Sequence, residues 1–193
     1  MATIKAHTLS GFMELLPAPQ TQMERLMEVL RSSYGVYGFT PLDTPIIEAS
    51  DVLLAKGGGE TEKQIYRFSK GDSDLSLRFD LTVPLAKYVA LHYADLAFPF
   101  RRFQIGKVYR GERAQRGRFR EFYQADIDVI GDGELDITND AEIPAIIYTV
   151  FSVEIPNSHQ QPPHLKRLLR DAGPFRQVRR YHAHRRQDRK DRP

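Results

Sequence analysis

The sequence predicts an α+β domain in which an antiparallel sheet is flanked by helices. Residues 18–37 have the spacing of an amphipathic helix, and residues 103–129 form two strand-like arms joined by an arginine-rich connection. The strand-like stretches follow one another through hairpins and not through regular helical crossovers. With 193 residues and 41% apolar content, the chain can bury one sizeable core.

The first element is the helix of residues 18–37. Its apolar residues lie on one stripe: Met23, Leu26, Met27, Leu30 and Tyr34. Pro41 and Pro45 confine the following segment to an edge or interface strand. A helix and strand of an ordinary core would show the same pattern, so both interpretations stay open for this region.

The next stretch carries three consecutive glycines, Gly57, Gly58 and Gly59, before a strand-like segment at 65–68. A triple glycine suggests a phosphate-binding loop, but no Lys-Ser or Lys-Thr pair follows at the required offset. We therefore expect a mobile loop. Residues 81–84 then open a helix with Pro84 in its first turn, for which Asp80 is suited as a cap.

The arms of the hairpin have strand periodicity. Phe103, Ile105, Val108 and Tyr109 lead in. The outgoing arm alternates Tyr123, Ala125, Ile127 and Val129 on one face with Gln124, Asp126 and Asp128 on the other. One face of this hairpin is therefore polar, and a carboxylate buried there needs a donor.

The connection between the arms is rich in arginine: Arg110, Arg113, Arg116, Arg118 and Arg120 stand against only Glu112 and Glu121. Guanidinium groups match phosphate oxygens in a bidentate way, so a polyanion such as a triphosphate is the natural ligand. The alternative is an exposed hairpin whose charges are solvated and pair across the strands.

Three segments resemble a known family. Arg110-Gly111-Glu112, a loop, and the string from Arg118 to Phe122 resemble motif 2 of class II aminoacyl-tRNA synthetases. The strings GRFREFYQADID, ending at Asp128, and LRFDLTVP, beginning at Leu77, are similar to histidyl-tRNA synthetases in particular. Residues 38–48 fit motif 1. The resemblance implies part of a class II catalytic core and a homodimer formed through the motif 1 region.

The resemblance also implies a reaction, in which the carboxylate of histidine attacks the α-phosphorus of ATP before transfer to tRNA. Arg110 would be the catalytic residue, lying between that carboxylate and the α-phosphate, where charge stabilisation matters most. In the ATP site Glu112 and Phe122 would hold the adenine, and Arg113 and Arg118 would reach the outer phosphates. Magnesium is implied by the ATP chemistry alone.

The histidine-binding residues implied by the resemblance are Asp80, Thr82, Arg110, Gln124 and Asp128. Asp80 and Thr82 match positions that hold the α-amino group, and Asp128 is placed to accept from the imidazole N–H. No spacing of histidines indicates a metal site, and the chain has no cysteine. With no membrane span or secretory signal in the sequence, we expect a cytoplasmic protein without a membrane partner.

The chain divides by charge into residues 1–157 and a tail of residues 158–193. The tail has 11 Lys+Arg against 3 Asp+Glu, whereas residues 1–157 have 17 against 22. The similarity to the family stops near Asn157, but reading the tail one nucleotide later with allowed codons gives segments that resemble the family's continuation. We therefore interpret the tail as a frameshifted translation.

On this interpretation the first part of a class II catalytic domain is present without motif 3 or an anticodon-binding domain, and we expect the chain to be inactive by itself. Two other interpretations stay open. One is a synthetase-like regulatory subunit of histidine biosynthesis. The other is an RNA-binding module that uses the basic tail.

Overall fold

The computed structural model describes residues 5–55, 59–113 and 117–153 of the 193-residue chain. Within these ranges helices and strands combine in an α+β fold, as predicted. The elements are α1 (Pro17–Val36), β1 (Thr40–Pro41), β2 (Ile47–Ala49), α2 (Ser50–Leu54), α3 (Glu60–Gln64), β3 (Arg67–Lys70), β4 (Ser73–Leu77), α4 (Thr82–His92), β5 (Phe100–Tyr109), β6 (Glu121–Ile130) and α5 (Thr138–Val153).

The strands form two three-stranded sheets, in the orders β1-β5-β6 and β2-β4-β3. The second sheet is antiparallel, and so is the long β5–β6 pair. Strand β1 runs parallel to β5, which the expectation of an antiparallel sheet did not include. Parallel pairing is possible here because the whole second sheet and α4 separate β1 from β5 along the chain.

Local signals explain most of the helix boundaries. Pro17 lies in the first turn of α1, where its missing N–H costs nothing, and the helix ends just before Gly38, whose φ is +80°. The predicted helix at 18–37 is confirmed to within one residue at each end. Helix α4 begins at Thr82, within the segment 81–84 that was predicted to open it. The strand expected at 65–68 is observed as β3, two residues later.

The hydrophobic core lies on one face of the β5–β6 hairpin. Its buried members are Tyr34, Phe39, Phe103, Ile146 and Val150, with the Tyr34 and Phe103 ring centroids 5.6 Å apart. Helices α1 and α5 therefore cover this face of the sheet, and the polar side chains of the hairpin lie on the opposite face.

Three features of the sequence lie outside the described residues: Gly57 and Gly58 of the triple glycine, the loop residues Ala114–Arg116, and the tail with its boundary at residue 157. Of the helices in the described part of the chain, none combines the length and the apolarity needed to cross a bilayer.

Candidate functional site

The face of the hairpin that points away from the core is polar, as the alternation predicted. Strand register places Arg102 opposite Asp128, Gln104 opposite Asp126, and Gly106 opposite Gln124. Phe122 pairs with Val108 at the loop end of the same face. Because strands rise about 3.4 Å per residue, the polar face extends about 20 Å from Phe122 to Asp128.

Several polar atoms on this face are buried without a hydrogen-bond partner among the described residues. They are Nε, Nη1 and Nη2 of Arg102, Oε1 of Gln104, Oε1 of Gln124 and Oδ2 of Asp128. A buried polar group without a partner costs roughly 1–3 kcal/mol, so such groups are rare in native proteins. Donors and acceptors left open together on one face indicate a polar ligand.

The deepest charged group on this face is Arg102, whose side chain is fully buried. Its Nη2 lies 2.7 Å from Oδ2 of Asp128, and the contact is an ion pair in which the N–H does not point at the oxygen. Burial lowers the pKa of Arg102, against the attraction of Asp128. Burial also raises the pKa of Asp128, an effect that Arg102 opposes and Asp126 reinforces.

The neighbouring amide of Gln124 is held by its own strand. Its Nε2 donates to Oδ2 of Asp126 at 2.9 Å, and its Oε1 accepts no hydrogen bond from the described part of the chain. Gln104 donates to Oδ1 of Asp43 and to Oγ1 of Thr44, at 3.0 and 3.1 Å. Both amides are thus oriented, with an acceptor oxygen left over.

Arg110 follows the end of β5, between two aromatic rings. Its guanidinium carbon lies 4.5 Å from the ring centroid of Phe79 and 5.0 Å from that of Phe122. Its Nε donates to the backbone oxygen of Phe79 at 3.3 Å. The rings and the carbonyl therefore limit the positions that this cation can take.

Asp80 caps α4. Its Oδ1 accepts from the backbone N–H groups of Thr82 and Val83, each at 3.0 Å, so the predicted cap is present. Oδ2 makes no hydrogen bond within the described residues, and the Thr82 side chain is exposed. The cap therefore uses one carboxylate oxygen and leaves the other for a ligand.

Arg78 fixes this segment to the sheet. Its side chain is 2% exposed, and it donates through Nε to the Lys107 oxygen at 2.7 Å and through Nη1 to the Thr44 oxygen at 2.6 Å. The Tyr109 N–H donates back to the Arg78 oxygen at 3.0 Å. These bonds bring Asp80 and Arg110, far apart in sequence, to the same end of the hairpin.

The arginine-rich connection is partly described. Nη1 of Arg118 lies 3.6 Å from Oε2 of Glu112, and both Arg113 and Arg118 are exposed. Arg120 is structural, since its Nε donates to the Glu112 oxygen and its backbone N–H to the Gly11 oxygen, at 2.9 and 2.7 Å. The Gly111 N–H donates to the Gln64 oxygen at 2.7 Å, which places α3 beside this loop.

The sequence did not lead us to four residues that the structure places in the candidate site: Arg102, Gln104, Phe79 and Arg78. The first two had a signal, because the apolar alternation of Phe103 and Ile105 places residues 102 and 104 on the polar face. In the described ranges no group of three or more His, Cys, Asp or Glu residues could hold a metal ion.

The family model and the curated relatives agree on one family. The family described as histidyl-tRNA synthetase matches residues 11–192. A histidine–tRNA ligase from Clostridium tetani is 66% identical over 148 residues, covering 77% of this chain and 34% of that protein. One from Xanthomonas oryzae pv. oryzae is 53% identical over 167 residues, covering 77% and 36%.

Among solved structures, histidyl-tRNA synthetase from Nostoc sp. PCC 7120 superposes with a TM-score of 0.69 at 44% identity, covering 77% of this chain and 34% of that chain. A structure from Bacillus halodurans, titled an ATP phosphoribosyltransferase regulatory subunit/histidyl-tRNA synthetase, has a TM-score of 0.67 at 23% identity, which shows the fold alone. The chain spans about a third of the length of the curated relatives that it matches.

Proposed function

The chain belongs to the histidyl-tRNA synthetase family, and from that membership we propose that residues 5–153 supply the histidine pocket and one wall of the ATP site of a histidine-activating enzyme. The observation that carries this proposal is the row of buried polar atoms on the β5–β6 face that make no hydrogen bond among the described residues, next to Arg110. A ligand with both donors and acceptors would satisfy them.

The histidine pocket is proposed to run along that face. Oδ2 of Asp80 would accept from the α-ammonium group with the help of Thr82, and the free Oε1 of Gln124 would receive a further N–H. Asp128, at the far end of β6, would accept from the imidazole. The histidine carboxylate would then lie toward Arg110, at the loop end.

Arg110 is proposed as the catalytic residue. A cation beside the carboxylate and the α-phosphate would stabilise the negative charge that develops when the carboxylate oxygen bonds to phosphorus and pyrophosphate leaves. Support comes from its position between the Phe79 and Phe122 rings, since a pre-positioned cation needs little reorganisation during the reaction.

The ATP would lie over the loop end of the hairpin. Phe122 would stack on the adenine and Glu112 would hydrogen-bond to it, while the exposed Arg113 and Arg118 would reach the outer phosphates. Among the described residues no group of carboxylates fits a resident Mg²⁺ ion, and no step is assigned to one.

Transfer of histidine to its tRNA, assembly into a homodimer and a cytoplasmic location are proposed for the whole protein. For the dimer, Ile46 and Ile47 in the motif 1 region are 41% and 48% exposed, as an interface strand requires. The tail of residues 158–193 stays a proposed frameshift, and the chain alone is proposed not to charge tRNA.

Isothermal titration of the purified 193-residue chain with histidine tests the pocket. We expect histidine to bind and phenylalanine, which has no ring N–H, not to bind. Asp128→Asn should weaken binding at least about tenfold, because it removes the charged acceptor. Asp72→Asn, an exposed change in the β3–β4 turn, is the matched control. Equal binding of histidine and phenylalanine would contradict the proposal.

A further inference from the structure

The ion pair at the far end of the polar face has a chemical consequence for the ligand. Resting on the proposed histidine pocket, we propose that Arg102 is a positioning and specificity-determining residue: it keeps Asp128 an ionised acceptor, so that the pocket selects the neutral imidazole of histidine and rejects the imidazolium.

A buried cation, Arg102, lies next to the negative charge of Asp128. Arg102 is fully buried on β5 and lies directly opposite Asp128 on β6, with Nη2 2.7 Å from Oδ2. A carboxylate and a guanidinium in this geometry largely cancel each other's charge. Without Arg102, Asp128 would be a half-buried anion, which would draw a proton onto itself or onto the ligand.

The N–H donors of Arg102 are the second feature of the pair. An arginine side chain has five N–H groups, and the three side-chain nitrogens of Arg102 make no hydrogen bond among the described residues. The pair therefore offers one acceptor, Asp128, beside spare donors. Neutral imidazole has one N–H and one lone pair, which match that combination. Imidazolium has two N–H groups and no lone pair, so one of them would face a cation.

The surrounding charges do not change this result. The charged groups that act on Asp128 in the described part of the chain are Arg102 and Asp126. Asp126 lies two residues before Asp128 on the same face of β6, where its Oδ2 accepts from Gln124. On α4, Lys87 is paired with Glu48, and Tyr88 stacks over Phe100 at 6.5 Å.

The test uses the pH dependence of histidine binding by the whole 193-residue chain, between pH 5.5 and 8.5. The parent should bind with constant affinity above about pH 6.5 and lose about tenfold per unit below it, as the free imidazole becomes protonated. This measurement needs no variant. An affinity that increases as the pH falls below 6.5 would overturn the proposal.

Arg102→Gln removes the charge and Arg102→Lys keeps it. In the glutamine variant the complex should contain one additional proton, shared between Asp128 and the imidazole. The affinity of this variant for histidine should then fall about tenfold per pH unit once the pH rises above the pKa values of Asp128 and of the imidazole. The lysine variant should keep the parental plateau. If the affinity of the glutamine variant for histidine depends on pH in the same way as that of the parent, Arg102 has only a structural role.

A ligand-free measurement separates this inference from the proposed function. Carbon-13 carboxyl NMR, with Asp128→Asn to assign the signal, reports the ionisation of Asp128 in the free chain. Its midpoint should rise by about 1–3 pH units in the Arg102→Gln variant. No rise overturns the role of Arg102. A rise in a chain that binds no histidine would keep that role and reject the histidine pocket.

Discussion

We expect any side chain at residue 106 to destabilise the fold, because Gly106 lies against the buried Arg78 side chain. A Cβ added at residue 106 would stand 2.4 Å from Nη2 and 3.3 Å from Cζ of Arg78. The end of an exposed arginine could move to relieve such a clash. In Arg78, however, Nε and Nη1 donate to the Lys107 and Thr44 oxygens and the side chain is only 2% exposed, so the guanidinium cannot move without breaking these hydrogen bonds.

The magnitude follows from these contacts. Overpacking a filled site costs about 1–3 kcal/mol. If Arg78 shifts and loses one of its carbonyl bonds, the loss is about 1.5–3 kcal/mol, since the donor is charged. Because a shift of Arg78 relieves part of the overpacking, the two costs do not add in full, and we expect Gly106→Ala to lower the free energy of unfolding by about 2–4 kcal/mol. Urea unfolding followed by circular dichroism measures this value.

Two comparisons make the measurement specific. Gly35→Ala in α1 is the matched control, because a Cβ there meets nothing within 4 Å, and it should stabilise the chain by up to about 1 kcal/mol. In the background of Arg78→Met the cost of Gly106→Ala should shrink, because the clashing nitrogen is gone. A loss below about 0.5 kcal/mol in the parent background would refute the reasoning.

Three further outcomes are expected. Asp80→Ala should destabilise the chain by about 1 kcal/mol in thermal unfolding, since two N–H groups of α4 lose their cap, and Asp80→Ser should restore part of it. Hydrogen bonding to Thr138 lowers the pKa of Asp136, so its contribution is present at neutral pH and disappears as the pH falls through its folded-state pKa; Asp136→Asn should reduce the acid sensitivity of unfolding, and an unchanged pH profile would contradict this. Phe79→Leu should leave the circular dichroism spectrum unchanged but weaken binding of a histidyl-adenylate analogue about 2-fold to 30-fold, because Arg110 loses one of its rings; equal affinity would contradict it.

The parts of the fold that could be predicted are those with local signals. The alternation from residue 123 to 129 gave the strand and both of its faces, and the start of α4 was marked by Asp80 and Pro84. The parallel pairing of β1 with β5 could not be predicted, since a two-residue strand has no periodicity of its own.

For the candidate site, the polar face of β6 was predictable from its alternation, but contacts that depend on the tertiary structure were not. Phe79 lies between two charged residues, and its role depends on the backbone path that brings it to Arg110. The alternation puts Arg102, and not its neighbour Arg101, on the polar face, but only the strand register shows that Arg102 lies opposite Asp128. Arg101 instead pairs with Glu142 on α5.

The β5–β6 hairpin is one strand layer thick, with the hydrophobic core on one surface and the polar side chains of the candidate site on the other. A single-residue insertion in β5 would therefore rotate Phe103 out of the core and drive a guanidinium into it, so stability and recognition would fail together. Because one strand supplies both surfaces, a substitution at a single position changes one surface and leaves the alternation of the other intact, whereas an insertion exchanges the two.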